Sequence, residues 1–357
     1  MQVVQSGSGY YIHDVDAIRK SRAILDALGK RALVVTGHRS FAATGSRLVE
    51  VLSANQMSFQ VCHYGGECTD EEAERIVELV GTNWDMVIAV GGGKVIDLGK
   101  LIAQVIQCPY VTVPTVVSNC SATVPVAVVY TPDGNYKASR ILLRPPSVTI
   151  VDDGVLRVAP LRYFLSGIGD TLAKRYESRI TAKKRSLLVA EAGQTMAELI
   201  GEYVTEHVEE AIANLNQSAP GDAFVNVVDA VILLAGMVGG IGGPACRAAA
   251  AHALHNALTF VPSMSQSTHG EKVAYGILVQ MALTDQPRDS MRDLQRFFRT
   301  VGLPGNWQDL AHEELPTMDA LEKVAQRSVE VGSPMHRMEP VPTVEDICQA
   351  MRQIESL

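Results

Sequence analysis

Two histidines three residues apart stand in the run AAAHALHNALT, which begins at Ala249 within the helical pattern 248–259. On a helix this spacing puts His252 and His255 on one face. A third histidine, in His269-Gly270-Glu271, follows within about one loop length. Imidazoles so placed suit a divalent metal, which also needs a carboxylate. Gly167-Ile168-Gly169-Asp170, a polar island in apolar surroundings ahead of TLAKRYES, offers one. Two histidines and one aspartate leave a coordination position open for substrate. Each residue also has a plainer reading taken alone: His252 as a satisfied buried histidine and Asp170 as a helix N-cap. His255 is either a proton relay or a donor to a neighbouring carbonyl.

The second stretch with chemistry in it is Gly91-Gly92-Gly93-Lys94, fed by the strand-like DMVIAV and followed at once by the helical VIDLGKLIAQVI. Residues without side chains let backbone amides approach an anion, and the new helix directs its unpaired N–H groups to the same place. That is the chemistry of a diphosphate seat. The bland alternative is a tight turn, with Lys94 as a solvated first-turn lysine. An earlier strand ends Thr36-Gly37-His38-Arg39. An acidic residue there would hold a ribose 2′-hydroxyl and repel a 2′-phosphate. Gly37 leaves space and Arg39 can pair with a phosphate, which favours NADP(H) over NAD(H); otherwise Arg39 is an ordinary surface residue.

These residues need a scaffold, and the chain's periodicity supplies it. Short β-branched runs at 32–36, 59–63, 85–90, 110–113, 126–130 and 148–151 alternate with helical patterns such as 40–53 and 69–79, where Thr69 and Glu72 suit a capping box. Such alternation predicts an α/β domain with a largely parallel sheet. After Asp152-Asp153-Gly154 strand signals stop, and helical patterns run to the last residue with breaks near 217–221, 239–244, 261–267 and 333–342. The expected division is therefore an α/β dinucleotide-binding domain over 1–157 and an all-helical, metal-binding domain over 158–357. The cleft between them is the expected site. The Gly236–Gly243 cluster is read as close helix packing.

The bulk properties narrow the partners. With 47% hydrophobic and 20% charged residues and a net charge of −8, the 357-residue chain reads as soluble and globular, with no basic face for nucleic acid. Six cysteines without a CxxC pair fit reduced thiols in a cytoplasmic protein. The N-terminal residues lack the basic start and apolar core of an export signal. The longest uncharged run, 230–246, has 17 residues with five glycines and a proline, so a buried helix is expected instead of a membrane span. A small-molecule substrate remains as the natural partner. Self-association through a sheet edge or the helical part is left open.

In order along the chain stand GGGKVID (91–97), PTVVSNCSA (114–122), VYTPDG (129–134), GIGDTLAK (167–174), AAAHALHNALT (249–259) and HGEKVAYG (269–276). Together they resemble the iron-containing alcohol dehydrogenase superfamily in its glycerol dehydrogenase-like branch, over nearly the whole chain. The resemblance implies the dehydroquinate synthase-like pairing of an α/β and an all-α domain. It implies that Asp170, His252 and His269 bind the catalytic metal, and that Gly91, Gly92, Gly93 and Lys94 hold the diphosphate. Asp97, Thr115, Ser118 and Tyr130 then line the cofactor or substrate cleft. Iron-dependent members usually carry another histidine four residues after the aspartate; Lys174 stands there, which argues for zinc over iron. Glycerol dehydrogenases typically show Ser-Thr-Asp-Ala-Pro after the PT turn, where this chain has Cys120, and an aspartate where it has Gly37. Both departures look like the hydroxycarboxylate dehydrogenases, which reduce 2-oxo acids with NADPH. Cys120 is then a substrate contact, or else an inert small side chain.

The expected activity is a metal-dependent NAD(P)(H) oxidoreductase interconverting a small 2-hydroxy acid or polyol with its carbonyl form. Glycerol dehydrogenase is the alternative. A cyclising lyase of the dehydroquinate synthase kind would need basic residues for a phosphorylated substrate, for which only Lys183-Lys184-Arg185 could be cited. A non-catalytic nucleotide-binding protein would make Asp170 dispensable.

Overall fold

The computed structural model describes residues 4–182, 187–215, 217, 219–312 and 315–357. The basic run Lys183-Lys184-Arg185 lies outside them. The first elements are β1 (Tyr10–Asp14), α1 (Ala17–Lys20), α2 (Arg22–Leu28), β2 (Arg31–Thr36), α3 (His38–Ala54), β3 (Ser58–His63), α4 (Asp70–Val80), β4 (Met86–Gly91), α5 (Gly93–Ile106) and β5 (Tyr110–Pro114). Next come β6 (Val126–Tyr130), β7 (Tyr136–Ile141), β8 (Val148–Asp152) and α6 (Asp153–Leu156). Helices then follow to the end: α7 (Leu161–Thr181), α8 (Leu188–Asn214), α9 (Asp222–Asp229), α10 (Ala235–Ile241), α11 (Ala250–Leu258), α12 (His269–Leu283), α13 (Arg288–Val301), α14 (Trp307–Leu310), α15 (Met318–Ser328) and α16 (Val344–Glu355).

Six strands form one parallel sheet in the order β1-β8-β5-β4-β2-β3. Its central strands β2, β4, β5 and β8 are buried almost throughout because helices cover both faces. The period of two is visible in the core: Ala32 and Val34 with Met86 and Ile88 pack on one side, whereas Leu33 and Val35 with Val87 pack on the other. The run at 126–130 is a strand, but it leaves the main sheet. It pairs antiparallel with β7 in a separate hairpin. Thr69 caps α4 through the Glu72 amide at 3.0 Å, while the Glu72 carboxylate turns to Gly65 and Arg75, so only half of the expected capping box forms.

The chain divides into two compact units. One comprises Gln5–Pro160 together with Ala211–Gly236, and the other comprises Leu161–Glu210 and Met237–Leu357. The break at Pro160 falls close to the expected 157/158, yet the segment Ala211–Gly236 groups with the sheet. Specific polar contacts tie it there. The Thr123 hydroxyl donates to the Ile232 carbonyl at 2.6 Å. His13 sits between Asp153 at 2.8 Å and Asp229 at 2.6 Å, and the Tyr11 hydroxyl donates to Asp229 at 2.7 Å. Asp222–Ile241 is long and apolar enough, by length and composition, to cross a membrane, but 61% of its apolar window is buried within the fold. Phe224, Val227, Val228, Val231 and Ile232 are core residues.

In the helical unit, glycines set how near the helices come. A Cβ on Gly270 would run into the Ser166 carbonyl, and one on Gly169 into the Gly270 carbonyl, so α7 and α12 cross backbone to backbone. Gly276 does the same between α12 and α11, where a Cβ would meet the Ala251 carbonyl oxygen at 2.6 Å. Asp170 and His269 each follow or precede one of these contact points. Their closeness is thus a consequence of the crossing.

Candidate metal centre and cofactor seat

Asp170 on α7, His252 on α11 and His269 at the start of α12 converge, with one ligand atom from each lying within 4.8 Å of the others. Both Nε2 atoms face the same oxygen, Asp170 Oδ1, at 3.1 Å from His252 and 3.2 Å from His269. What aims them lies behind. His252 Nδ1 donates to Glu177 Oε2 at 2.7 Å, while Glu177 Oε1 accepts the amides of Ala249 at 2.6 Å and His252 at 3.0 Å. One buried carboxylate therefore caps α11 and orients its histidine.

A second chain of bonds sets His269. Asn256 Oδ1 accepts from His255 Nδ1 at 3.0 Å, so neutral His255 presents Nε2 as an acceptor to His269 Nδ1 at 2.9 Å. This leaves the His269 Nε2 lone pair toward Asp170. The assignment follows from the network, in which the amide oxygen can only accept. Burial, with the charges of His269 and Lys272, keeps His255 well below the usual histidine range and hence neutral. Of its two expected roles, donation to a neighbouring carbonyl is the one the geometry displays, the acceptor being the side-chain amide oxygen of Asn256.

The electrostatics suit a cation. Burial would raise the Asp170 carboxyl, but Lys174, His252 and His269 outweigh it and hold it well below the carboxylate norm. Burial likewise opposes ionisation of Glu177, and His252 and Lys174 win, so its carboxyl is also lowered. His252 is raised despite its burial, chiefly by the charge of Glu177. Two nitrogens and one oxygen, each held by a partner behind it, fit a borderline divalent ion such as zinc or ferrous iron.

Glu177 and Lys174 were not among the expected site residues. The signal was present: Asp170, Lys174 and Glu177 occupy positions i, i+4 and i+7, a single stripe of α7. All three are buried in an otherwise helix-packed face. Lys174 Nζ lies 3.6 Å from Asp170 Oδ1.

In the α/β unit, Gly91, Gly92 and Gly93 join β4 to α5, at the carboxyl ends of parallel strands where α/β sheets bind ligands. The chain leaves β2 for β3 on one side and returns to β4 on the other, so the β2/β4 pair is the switch point of the topology. Gly37 and Arg39 follow β2 there. Gly37 is the N-cap of α3, and a Cβ on it would touch the Tyr64 ring at 3.2 Å; Arg39 is exposed. A Cβ on Gly93 would lie 2.9 Å from Asn119 Nδ2. The bare backbone at the start of a 14-residue helix fits a diphosphate.

The remaining expected residues distribute around this seat. Thr115, buried after β5, donates its amide to the Gly91 carbonyl at 3.1 Å and its hydroxyl to Ser40 at 3.4 Å. Ser118 is half-buried in the loop that follows, and Cys120 precedes a short 3₁₀ turn over Ser121–Thr123. Lys94 is exposed, pairs with Glu67 and lies 5.4 Å above the Tyr130 ring. Asp97 has a different surrounding from a cleft wall. It is buried and accepts from Lys100 at 2.7 Å, Ser121 at 2.5 Å and the Val128 amide at 2.9 Å, which fastens the start of β6 to α5.

The chain is similar to known proteins over nearly its whole length. Residues 9–153 match the family model of the iron-containing alcohol dehydrogenases. Glycerol dehydrogenase of Thermotoga maritima is 32% identical over 96% of this chain and 94% of its own length. Hydroxycarboxylate dehydrogenase A of Escherichia coli is 30% identical over 100% of this chain and 98% of its own. The crystal structure of a probable glycerol dehydrogenase from Sinorhizobium meliloti superposes with a TM-score of 0.90 at 28% identity, covering 99% of each chain. The class is therefore that of oxidoreductases acting on the CH–OH group of a small molecule. Within it, the chain belongs to the iron-containing alcohol dehydrogenase family, glycerol dehydrogenase-like branch.

Proposed function

We propose that this protein interconverts a small 2-hydroxy acid and its 2-oxo acid with NADP(H), using a divalent metal, preferably zinc, held by Asp170, His252 and His269. The observation that carries the metal reading is the pair of Nε2 atoms facing one oxygen of Asp170, each ring tied from behind through Nδ1. A divalent ion at this place supplies Lewis acidity, polarising a carbonyl and easing loss of a hydroxyl proton.

The chain's own residues do the rest. Glu177 fixes His252 in the tautomer that offers Nε2, and the Asn256–His255 pair does so for His269. The amides after Gly91 receive the cofactor's diphosphate, with Thr115 holding the glycine loop against β5. Gly37 and Arg39 at the head of α3 accommodate a 2′-phosphate, since no carboxylate stands there to repel it. Cys120 in place of a carboxylate removes repulsion against an acidic substrate.

A second reading, glycerol oxidation with NAD(H), is favoured by the names of the Thermotoga and Sinorhizobium relatives. Steady-state oxidation of NADPH and NADH by the zinc-loaded protein, with 2-oxobutanoate and dihydroxyacetone offered in parallel, separates the two. Preference for NADPH with the oxo acid is expected. Preference for NADH with dihydroxyacetone would establish the second reading and strip Gly37, Arg39 and Cys120 of their assigned roles.

A further inference from the structure

Lys174 is the least ordinary residue of the helical unit. It is a lysine with a side chain 7% exposed, one turn beyond Asp170 on the same face of α7 and one turn before Glu177. Lysines are almost never buried without a charge to answer. Across the helices that meet here, the buried charged side chains among the described residues are Asp170, Glu177, Lys174 and Lys272. Lys272, on α12, directs its ammonium to the Ser267 carbonyl at 2.6 Å. Glu271 is partly exposed and lies 3.8 Å from Arg162, a pair that cancels.

The two buried carboxylates thus balance the two buried ammonium groups. A divalent ion added to this set leaves an excess of two positive charges in a poorly solvated place, where unbalanced charge is costly. An uncharged polyol brings nothing to offset it. A substrate with a carboxylate next to the carbon that reacts brings a permanent negative charge to the right neighbourhood, and there a charge-assisted hydrogen bond is strongest.

We propose that Lys174 is the specificity residue of this enzyme, its buried ammonium receiving the carboxylate of a 2-hydroxy or 2-oxo acid beside the Asp170–His252–His269 centre. The assignment rests on the metal-centre reading above and gives its acid preference a physical source. A lysine suits the task because its compact charge sits on a flexible stem, able to reach a carboxylate carried by a small substrate.

The test compares 2-oxobutanoate with 1-hydroxy-2-butanone, which has the same carbon chain with CH₂OH in place of the carboxylate. Zinc-loaded wild type, Lys174→Met and Lys174→Arg are assayed with NADPH, zinc affinity is measured by chelator competition, and oxamate binding is followed by calorimetry. In Lys174→Met the acid-to-ketone ratio of kcat/KM is expected to fall about 30-fold or more, as for truncation of one partner of a buried charge pair. Oxamate binding is lost in parallel, and Lys174→Arg recovers part of both. Equal loss for both substrates, or loss of zinc with unchanged preference, would overturn the assignment of Lys174 alone. A wild-type protein that binds zinc and reduces only the ketone overturns the acid reading and this proposal with it, whereas one that binds no zinc refutes the metal centre itself.

Discussion

Glu177→Gln is the most informative single change, because it alters charge and hydrogen-bond polarity without altering shape. The Glu177 carboxylate accepts three hydrogen bonds, from His252 Nδ1 at 2.7 Å, Ala249 N at 2.6 Å and His252 N at 3.0 Å. A glutamine offers one accepting oxygen and, in place of the other, an NH₂ that can only donate. If its oxygen keeps the two amides, the NH₂ faces His252 Nδ1 and drives the proton to Nε2, the atom needed for a metal. If it keeps the imidazole, both amides of the α11 start, Ala249 N and His252 N, lose their acceptor. Either outcome costs about 1–3 kcal/mol, which corresponds to a loss of about 10- to 100-fold in metal affinity. The assay is competition for zinc between the metal-free protein and a chromogenic chelator, with the melting temperature recorded alongside. A Glu177→Gln protein that melts normally and binds zinc within about twofold of wild type would refute the view that this carboxylate sets the tautomer.

Other predictions follow from the same geometry. Gly270→Ala forces a methyl group against the Ser166 carbonyl and should separate α7 from α12, costing about 1–3 kcal/mol or more together with zinc affinity; thermal melts and chelator competition report both. Gly37→Asp should lower kcat/KM for NADPH about tenfold or more relative to NADH, since a carboxylate there repels a 2′-phosphate; kinetics with both cofactors decide, and an unchanged ratio removes Gly37 from the cofactor site. His13 gives a pH dependence. Burial lowers it, but Asp153 and Asp229 prevail and raise it from 6.5 to about 9. The folded state therefore holds more protons than the unfolded one between these values. His13 stabilises fully below about 6.5 and its contribution is lost as pH rises through about 9, worth at most about 3 kcal/mol. The melting advantage of wild type over His13→Gln should be large near about pH 6 and vanish near about pH 10; an advantage independent of pH would contradict this.

Much of the architecture was legible because it is periodic. Buried strands such as LVV in β2 and VIAV in β4 can only be covered on both faces, and that implies helices and a parallel sheet. β1 and β7 escaped notice for the same reason in reverse. β1 pairs on one side only and keeps Tyr10 exposed, and β7 reads YKASRI with mostly exposed positions, so neither shows an apolar alternation. The attachment of Ala211–Gly236 to the sheet unit depends on contacts such as His13 with Asp229, 216 positions apart, which no local pattern encodes.

The site divides along the same line. Asp170, His252 and His269 stood out because each is a ligand type in an apolar or helical context, and the structure brings them together. Glu177 and Lys174 resembled the solvated charges of any helix, since charge alone does not reveal burial. Only their i, i+4, i+7 spacing from Asp170 distinguished them. Asp97 shows the opposite case, a residue whose motif suggested a cleft and whose surroundings are a buried ion pair with Lys100.

The most direct test of the account is the metal content and turnover of wild type beside Asp170→Ala, both purified, stripped and reloaded with zinc. The account predicts one divalent ion per chain in wild type, and neither bound ion nor turnover of any CH–OH substrate in the variant, with folding retained. An Asp170→Ala protein that keeps its ion and its activity would contradict it.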